Sequence, residues 1–125
     1  MYQLMVRDMF SAAHYIPGYK GNCSKLHGHN WTVEVFFNAE LLKNGLAIDF
    51  KEIKNSLGEI LEELDHTNLN DHEWFKKYSP TCENIADYIY WQLSKKEWKS
   101  AVRSSRLHSV RIWESENAYA EYSED

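Results

Sequence analysis

The chain has 125 residues, with 14 basic and 19 acidic side chains, a formal charge of −5 and an aromatic content of 14%. Such a length predicts one domain over residues 1–125 with its own core, and the composition excludes a disordered or fibrous chain. There is no apolar run of about 20 residues to span a membrane, no basic segment leading an apolar core as in a secretory signal, and no basic tract suited to nucleic acid. Two cysteines, Cys23 and Cys82, are too few for a disulfide framework, so a reducing, cytoplasmic setting is expected.

In chain order, Leu4–His14 reads as a strand. Its even positions Leu4, Val6, Phe10 and Ala12 form one apolar face, and His14 ends that face. Residues 15–26, with Pro17, Gly18, Gly21 and Asn22, read as a loop. Trp31, Val33, Val35 and Phe37 alternate with Asn30, Thr32 and Glu34, the pattern of a half-buried strand. After the Asn44-Gly45 turn, Asp49 and Glu52 have capping-box spacing. Ile53, Leu57, Ile60, Leu61 and Leu64 then repeat at helical intervals, predicting a helix over 50–64. A second helix is expected from Ser79-Pro80-Thr81 to about Lys96–Lys99, with Ile85, Ile89 and Leu93 inward and Tyr88 and Trp91 flanking. Strands over 107–114 and 118–122 close the chain. The order β-β-α-α-β-β implies an α+β fold, a four-stranded antiparallel sheet with two helices on one face. The two open edges of such a sheet call for caps, charges or pairing with another subunit.

The histidines carry the chemistry. In His27-Gly28-His29 strand alternation puts both imidazoles on one face, and Gly28 frees space where the backbone comes close. His14 ends the matching face of the first strand and offers a third nitrogen. Three imidazoles with an open fourth position suit catalytic zinc; the competing reading is exposed histidines at a strand end. Cys23, four residues before His27 and near Lys25, reads as an acidified base or nucleophile, against a small buried hydrophobe. Cys82, at a helix start, reads as inert.

Asp65-His66 after the first helix is either a proton-transfer dyad or a simple end cap. Glu114, two residues beyond Ile112, points inward by alternation. That position demands a partner for its charge, and the N–H groups of a guanidine-like heterocycle fit a carboxylate. The alternative is a strand end exposed to water. His72 and His108 have no evident partner and read as surface or edge residues.

Together, Phe10-Ser11-Ala12-Ala13-His14, Cys23-x3-His27-Gly28-His29-Asn30, Ile48-Asp49-Phe50, Leu64-Asp65-His66-x2-Leu69-Asn70, Pro80-Thr81-x-Glu83-Asn84 and Glu114 occur in order. This ordered set resembles the 6-pyruvoyl- and 6-carboxy-tetrahydropterin synthase superfamily over about residues 4–122. The Cys-x3-His-Gly-His spacing resembles the bacterial 6-carboxy branch of queuosine and deazapurine synthesis. A longer gap typifies the pyruvoyl enzymes, and a Glu in place of Cys a hydroxymethylpterin-forming branch.

The resemblance implies that His14, His27 and His29 bind Zn2+. It further implies that Cys23 accepts a proton, that Asp65 and His66 form a second proton-transfer pair, that Glu114 anchors the pterin through its 2-amino and N3 groups, and that Thr81 and Glu83 lie near that pocket. The implied reaction converts 7,8-dihydroneopterin triphosphate to 6-carboxy-5,6,7,8-tetrahydropterin, acetaldehyde and triphosphate, in a tunnelling-fold homohexamer made of two stacked trimers. Lys20, Lys25, Lys51 and Lys54 are candidates to offset the triphosphate. Two rival readings are pyruvoyl-type synthase activity and a non-catalytic zinc- or pterin-binding oligomer.

Overall fold

In the computed structural model, which describes residues 1–21 and 24–124, the alternating first two segments form one long antiparallel pair. β1 (Tyr2–His14) and β2 (His27–Ala39) pair over their whole lengths, from Tyr2 opposite Ala39 to His14 opposite His27. Their inward side chains Val6, Phe10, Ala12, Trp31, Val33, Val35 and Phe37 are buried, as alternation requires. Trp31 is fully buried, its indole Nε1 donating to the Ala12 carbonyl at 3.2 Å. Truncating so large a buried ring costs about 3–5 kcal/mol.

α1 (Phe50–Leu64) buries the five apolar positions its spacing marks, Ile53, Leu57, Ile60, Leu61 and Leu64. Asp49 caps it by accepting from Lys51 N, but the second half of the expected capping box is diverted. Ser100 Oγ, rather than Glu52, accepts the Asp49 N–H at 3.0 Å, while Glu52 accepts from the Lys99 and Ser100 backbone N–H groups. The box is thus completed by a loop distant in sequence, which ties the start of α1 to that loop.

Three short elements follow that carry no period long enough to read in the sequence. β3 (Thr67–Asn68) pairs in parallel with β1 at Ala12 and Ala13. A single 3-10 turn covers Leu69–Asp71, and α2 spans Glu73–Lys77. The expected four-stranded antiparallel sheet is therefore five-stranded, in the order β3-β1-β2-β4-β5, with one parallel pair at its edge. A two-residue strand has no alternation to reveal it.

α3 (Cys82–Ser94) is shorter at both ends than expected. Thr81 is its N-cap, accepting from Asn84 N at 3.1 Å, so Pro80 precedes the cap instead of opening the helix. Beyond Ser94 the chain leaves the helix so that Trp98 packs edge-on against Phe37 and Ser100 reaches Glu52. β4 (Arg106–Ser115) and β5 (Ala118–Ser123) complete the sheet. Their register shifts between Trp113 and Ser115, leaving Glu114 as the extra residue of a bulge. One buried cluster joins the inward sheet face to α1, α2 and α3.

Candidate metal centre

The register of β1 and β2 assembles the centre. His14 stands directly opposite His27, and His29 lies two residues along the same strand face, opposite Ala12. Their rings pack edge-on with centroids 4.6–5.2 Å apart. Trp31 lies beneath, 4.8 Å from the His14 ring and 5.1 Å from that of His29.

Two carbonyls fix the ring orientations. His14 Nδ1 donates to Pro80 O at 2.7 Å and His27 Nδ1 to Lys25 O at 2.6 Å, leaving each Nε2 as the lone-pair nitrogen. Holding one ring nitrogen through a carbonyl is how proteins preset a histidine for a metal. The bulge aims Glu114 at the same point: its Oε1 lies 2.8 Å from His29 Nε2 and 3.8 Å from His14 Nε2. One ligand atom from each of His14, His27, His29 and Glu114 lies within 4.8 Å of all the others, a grouping that could hold a metal ion.

Physical chemistry favours a cation at this point. His14 is 1% exposed, and both His14 Nε2 and His29 Nε2 are buried without an aligned hydrogen bond. His29 Nε2 and Glu114 Oε1 approach to 2.8 Å without the alignment of a hydrogen bond. Leaving such a nitrogen unsatisfied costs about 1–3 kcal/mol, which a bound cation would recover. Burial is the main cause that holds the His14 pKa below the ordinary imidazole value, with His27 and His29 adding to it; burial also leads for His29. Both rings are thereby biased to the neutral form that ligates metals.

Glu114 also meets the helix layer. Its Oε2 accepts from Cys82 Sγ at 3.5 Å, which places the first turn of α3 and the Thr81 cap beside the carboxylate. Cys82 therefore has a partner that its sequence context does not reveal. Glu83, in the same turn, is exposed.

Asp65 and His66 form a contact pair, His66 Nδ1 lying 2.9 Å from Asp65 Oδ2. Asp65 Oδ1 accepts the Ser11 N–H at 2.8 Å. That bond, with the His66 contacts behind it, holds the carboxyl below its usual range against the opposing effect of desolvation. His66 adopts φ 58°, a left-handed conformation uncommon outside glycine, and its side chain is 82% exposed. The pair thus stands in solvent at the β3 side of β1, where His66 and His29 line one open pocket with Ser11, Asn30 and Thr67.

Cys23 lies outside the described residues. Of the four candidate lysines, Lys51 and Lys54 sit at the start of α1. That helix end packs by Tyr2–Leu4, the opposite end of β1 from His14. His72, expected to lack partners, is engaged: its Nδ1 accepts the Trp74 N–H as the cap of α2, and its Nε2 donates to Glu63 at 2.7 Å. A histidine before a short acidic-led helix is too weak a signal to read in advance.

A profile of the 6-pyruvoyl tetrahydropterin synthase family matches residues 3–125. The 6-carboxy-5,6,7,8-tetrahydropterin synthase of Synechocystis is 34% identical over 90% of this chain and 86% of its own. A dihydroneopterin monophosphate aldolase of Pyrococcus furiosus is 32% identical over 90% and 89%. The structure of 6-pyruvoyl tetrahydropterin synthase from Caenorhabditis elegans matches with a TM-score of 0.85 at 26% identity, covering 99% of this chain and 96% of that one. The fold and the comparisons together define a pterin-synthase-type α+β domain, and the chain belongs to the 6-pyruvoyl tetrahydropterin synthase family.

Proposed function

We propose that the chain is a zinc-dependent 6-carboxy-5,6,7,8-tetrahydropterin synthase. It would convert 7,8-dihydroneopterin triphosphate to 6-carboxy-5,6,7,8-tetrahydropterin, acetaldehyde and triphosphate in queuosine and deazapurine synthesis. The observation that carries this reading is the convergence of three imidazoles, two of them oriented by backbone carbonyls, with Glu114 on one point. Relatives bearing that enzyme name support the branch, as does this chain's own Cys23-x3-His27-Gly28-His29 spacing.

His14, His27 and His29 would hold the ion through Nε2, and zinc bound there would act as a Lewis acid that acidifies the substrate side chain. Cys23 accepts a proton from that side chain. His66, oriented by Asp65, moves a second proton. Glu114 accepts the N3–H and 2-amino N–H of the pterin, a bidentate pairing suited to a carboxylate. Thr81 and Glu83 border that ring. Within one chain the exposed His66 and His29 line one open pocket. A homohexamer whose sites lie between subunits would bring a neighbour's pair to each centre. The setting is the cytoplasm, with the whole of 1–125 as one domain.

Incubating the pure protein with 7,8-dihydroneopterin triphosphate tests this directly. Acetaldehyde and the 6-carboxy product are expected, whereas a pyruvoyl product or a hydroxymethylpterin would move the chain to another branch. Binding without turnover would make it a non-catalytic module. Cys23→Ala should keep the metal and lose turnover by about 10²–10⁴-fold, the range for a lost general base.

A further inference from the structure

Glu114 is asked to do two things that one carboxylate cannot do at once. Anchoring a pterin takes both oxygens, one for each N–H of the ring. Here Oε1 lies among the histidine Nε2 atoms and Oε2 against the Cys82 thiol. The bulge between Trp113 and Ser115 aims the side chain at the centre, and Cys82 steadies its outer oxygen. We propose that Glu114 is the closing fourth ligand of the resting metal centre, and that the pterin ring opens the centre by drawing this carboxylate away.

The inference rests on the metal reading above and adds a control to it. With three neutral imidazoles a dication keeps its full charge and an open position, which water, phosphate or any diol could take. A carboxylate ligand lowers that charge by one and fills the position. Only a molecule that offers Glu114 a better partner, a ring with two adjacent N–H donors, clears it. Recognition of the ring at one end of the substrate is thereby coupled to access for the side chain at the other. The coupling is reciprocal, so ring binding and the binding of a metal-seeking group should strengthen each other.

Cobalt-substituted protein provides a readout independent of turnover, because the visible absorption of Co2+ reports its ligand set. In native protein the resting spectrum should be that of a carboxylate-closed site. Pterin, which carries the ring and no side chain, should change it. Azide, a metal-binding anion without a ring, should bind weakly alone and at least tenfold more tightly once pterin is present.

Glu114→Gln should have an altered resting spectrum, lose about 10–100-fold in Zn2+ affinity, and bind azide tightly with no pterin. Glu114→Asp, whose carboxylate is pulled back by one methylene, should do the same. An unchanged spectrum and azide affinity in both variants, together with no effect of pterin on native protein, would overturn this inference and leave the three-histidine reading intact. Failure of native protein to take up Co2+ or Zn2+ would overturn both.

Discussion

A thiol in the first turn of a helix is ordinarily made more acidic by the N–H groups there. At Cys82 burial and the facing Glu114 carboxylate prevail, and the pKa is pushed up to about 12. In a Cys23→Ala background, Cys82 should therefore react with iodoacetamide at pH 7.5 at least tenfold more slowly in folded than in urea-unfolded protein, as followed by mass spectrometry. His72 shows a different use of a ring nitrogen. Its Nδ1 caps α2 while Glu63, from α1, and Tyr88, from α3, hold its Nε2 side. His72→Ala should lower stability by about 1 kcal/mol, and His72→Asn, itself a good cap, should restore most of it; urea titration measures both. The histidine triplet was legible because strand parity is a strict rule, and Glu114 followed from the same parity at Ile112. Cys82 and His72 were not, because their partners lie 32 and 9 residues away in sequence.

Long periodic elements read well from sequence and short ones did not. α1 runs over the residues its apolar spacing marks, whereas β3, the 3-10 turn and α2 exist because Ser11, Asn70 and His72 offer hydrogen bonds to a chain with no period of its own. The diverted capping box at α1 has a measurable result. Burial works against ionisation of Glu52, but bonds from the Ser100 hydroxyl and from the Ser100 and Lys99 N–H groups outweigh it, so its pKa lies below the ordinary value. A carboxyl depressed in the folded state contributes its stability above the unfolded pKa and loses it as pH falls through the folded one. Glu52→Gln should thus lower the Tm by about 4 °C at pH 7, with the gap closing as the pH is taken below 4. An unchanged gap across that range would mean that the charge of Glu52 contributes nothing.

At the scale of the whole molecule, the proposed homohexamer with sites between subunits predicts that Cys23 of one chain works with His66 of a neighbour. Co-expressed Cys23→Ala and His66→Ala proteins, each inactive alone, should assemble into mixed oligomers. About a quarter of their sites would pair an intact Cys23 with a neighbour's intact His66, if assembly is random. Activity near a quarter of wild type in the mixture, and none on mixing pre-formed oligomers, is the expected pair of results. No recovery on co-expression would confine each site to one chain.

The sheet face opposite the helices carries a buried carboxylate, Glu34, 4% exposed. Arg7 of β1 grips it at 2.7 and 3.0 Å, and Trp113 Nε1 of β4 donates to it at 2.6 Å. Its partners therefore come from the strands on either side of β2. If β2 slipped by one residue, every side chain along it would change faces, and Glu34 would enter the apolar layer with no cation or donor. That penalty, several kcal/mol for an unpaired buried charge, makes Glu34 a proofreader of strand alignment. The same alignment sets His14 opposite His27, so a misregistered chain is rejected on energetic grounds before it can present a faulty centre.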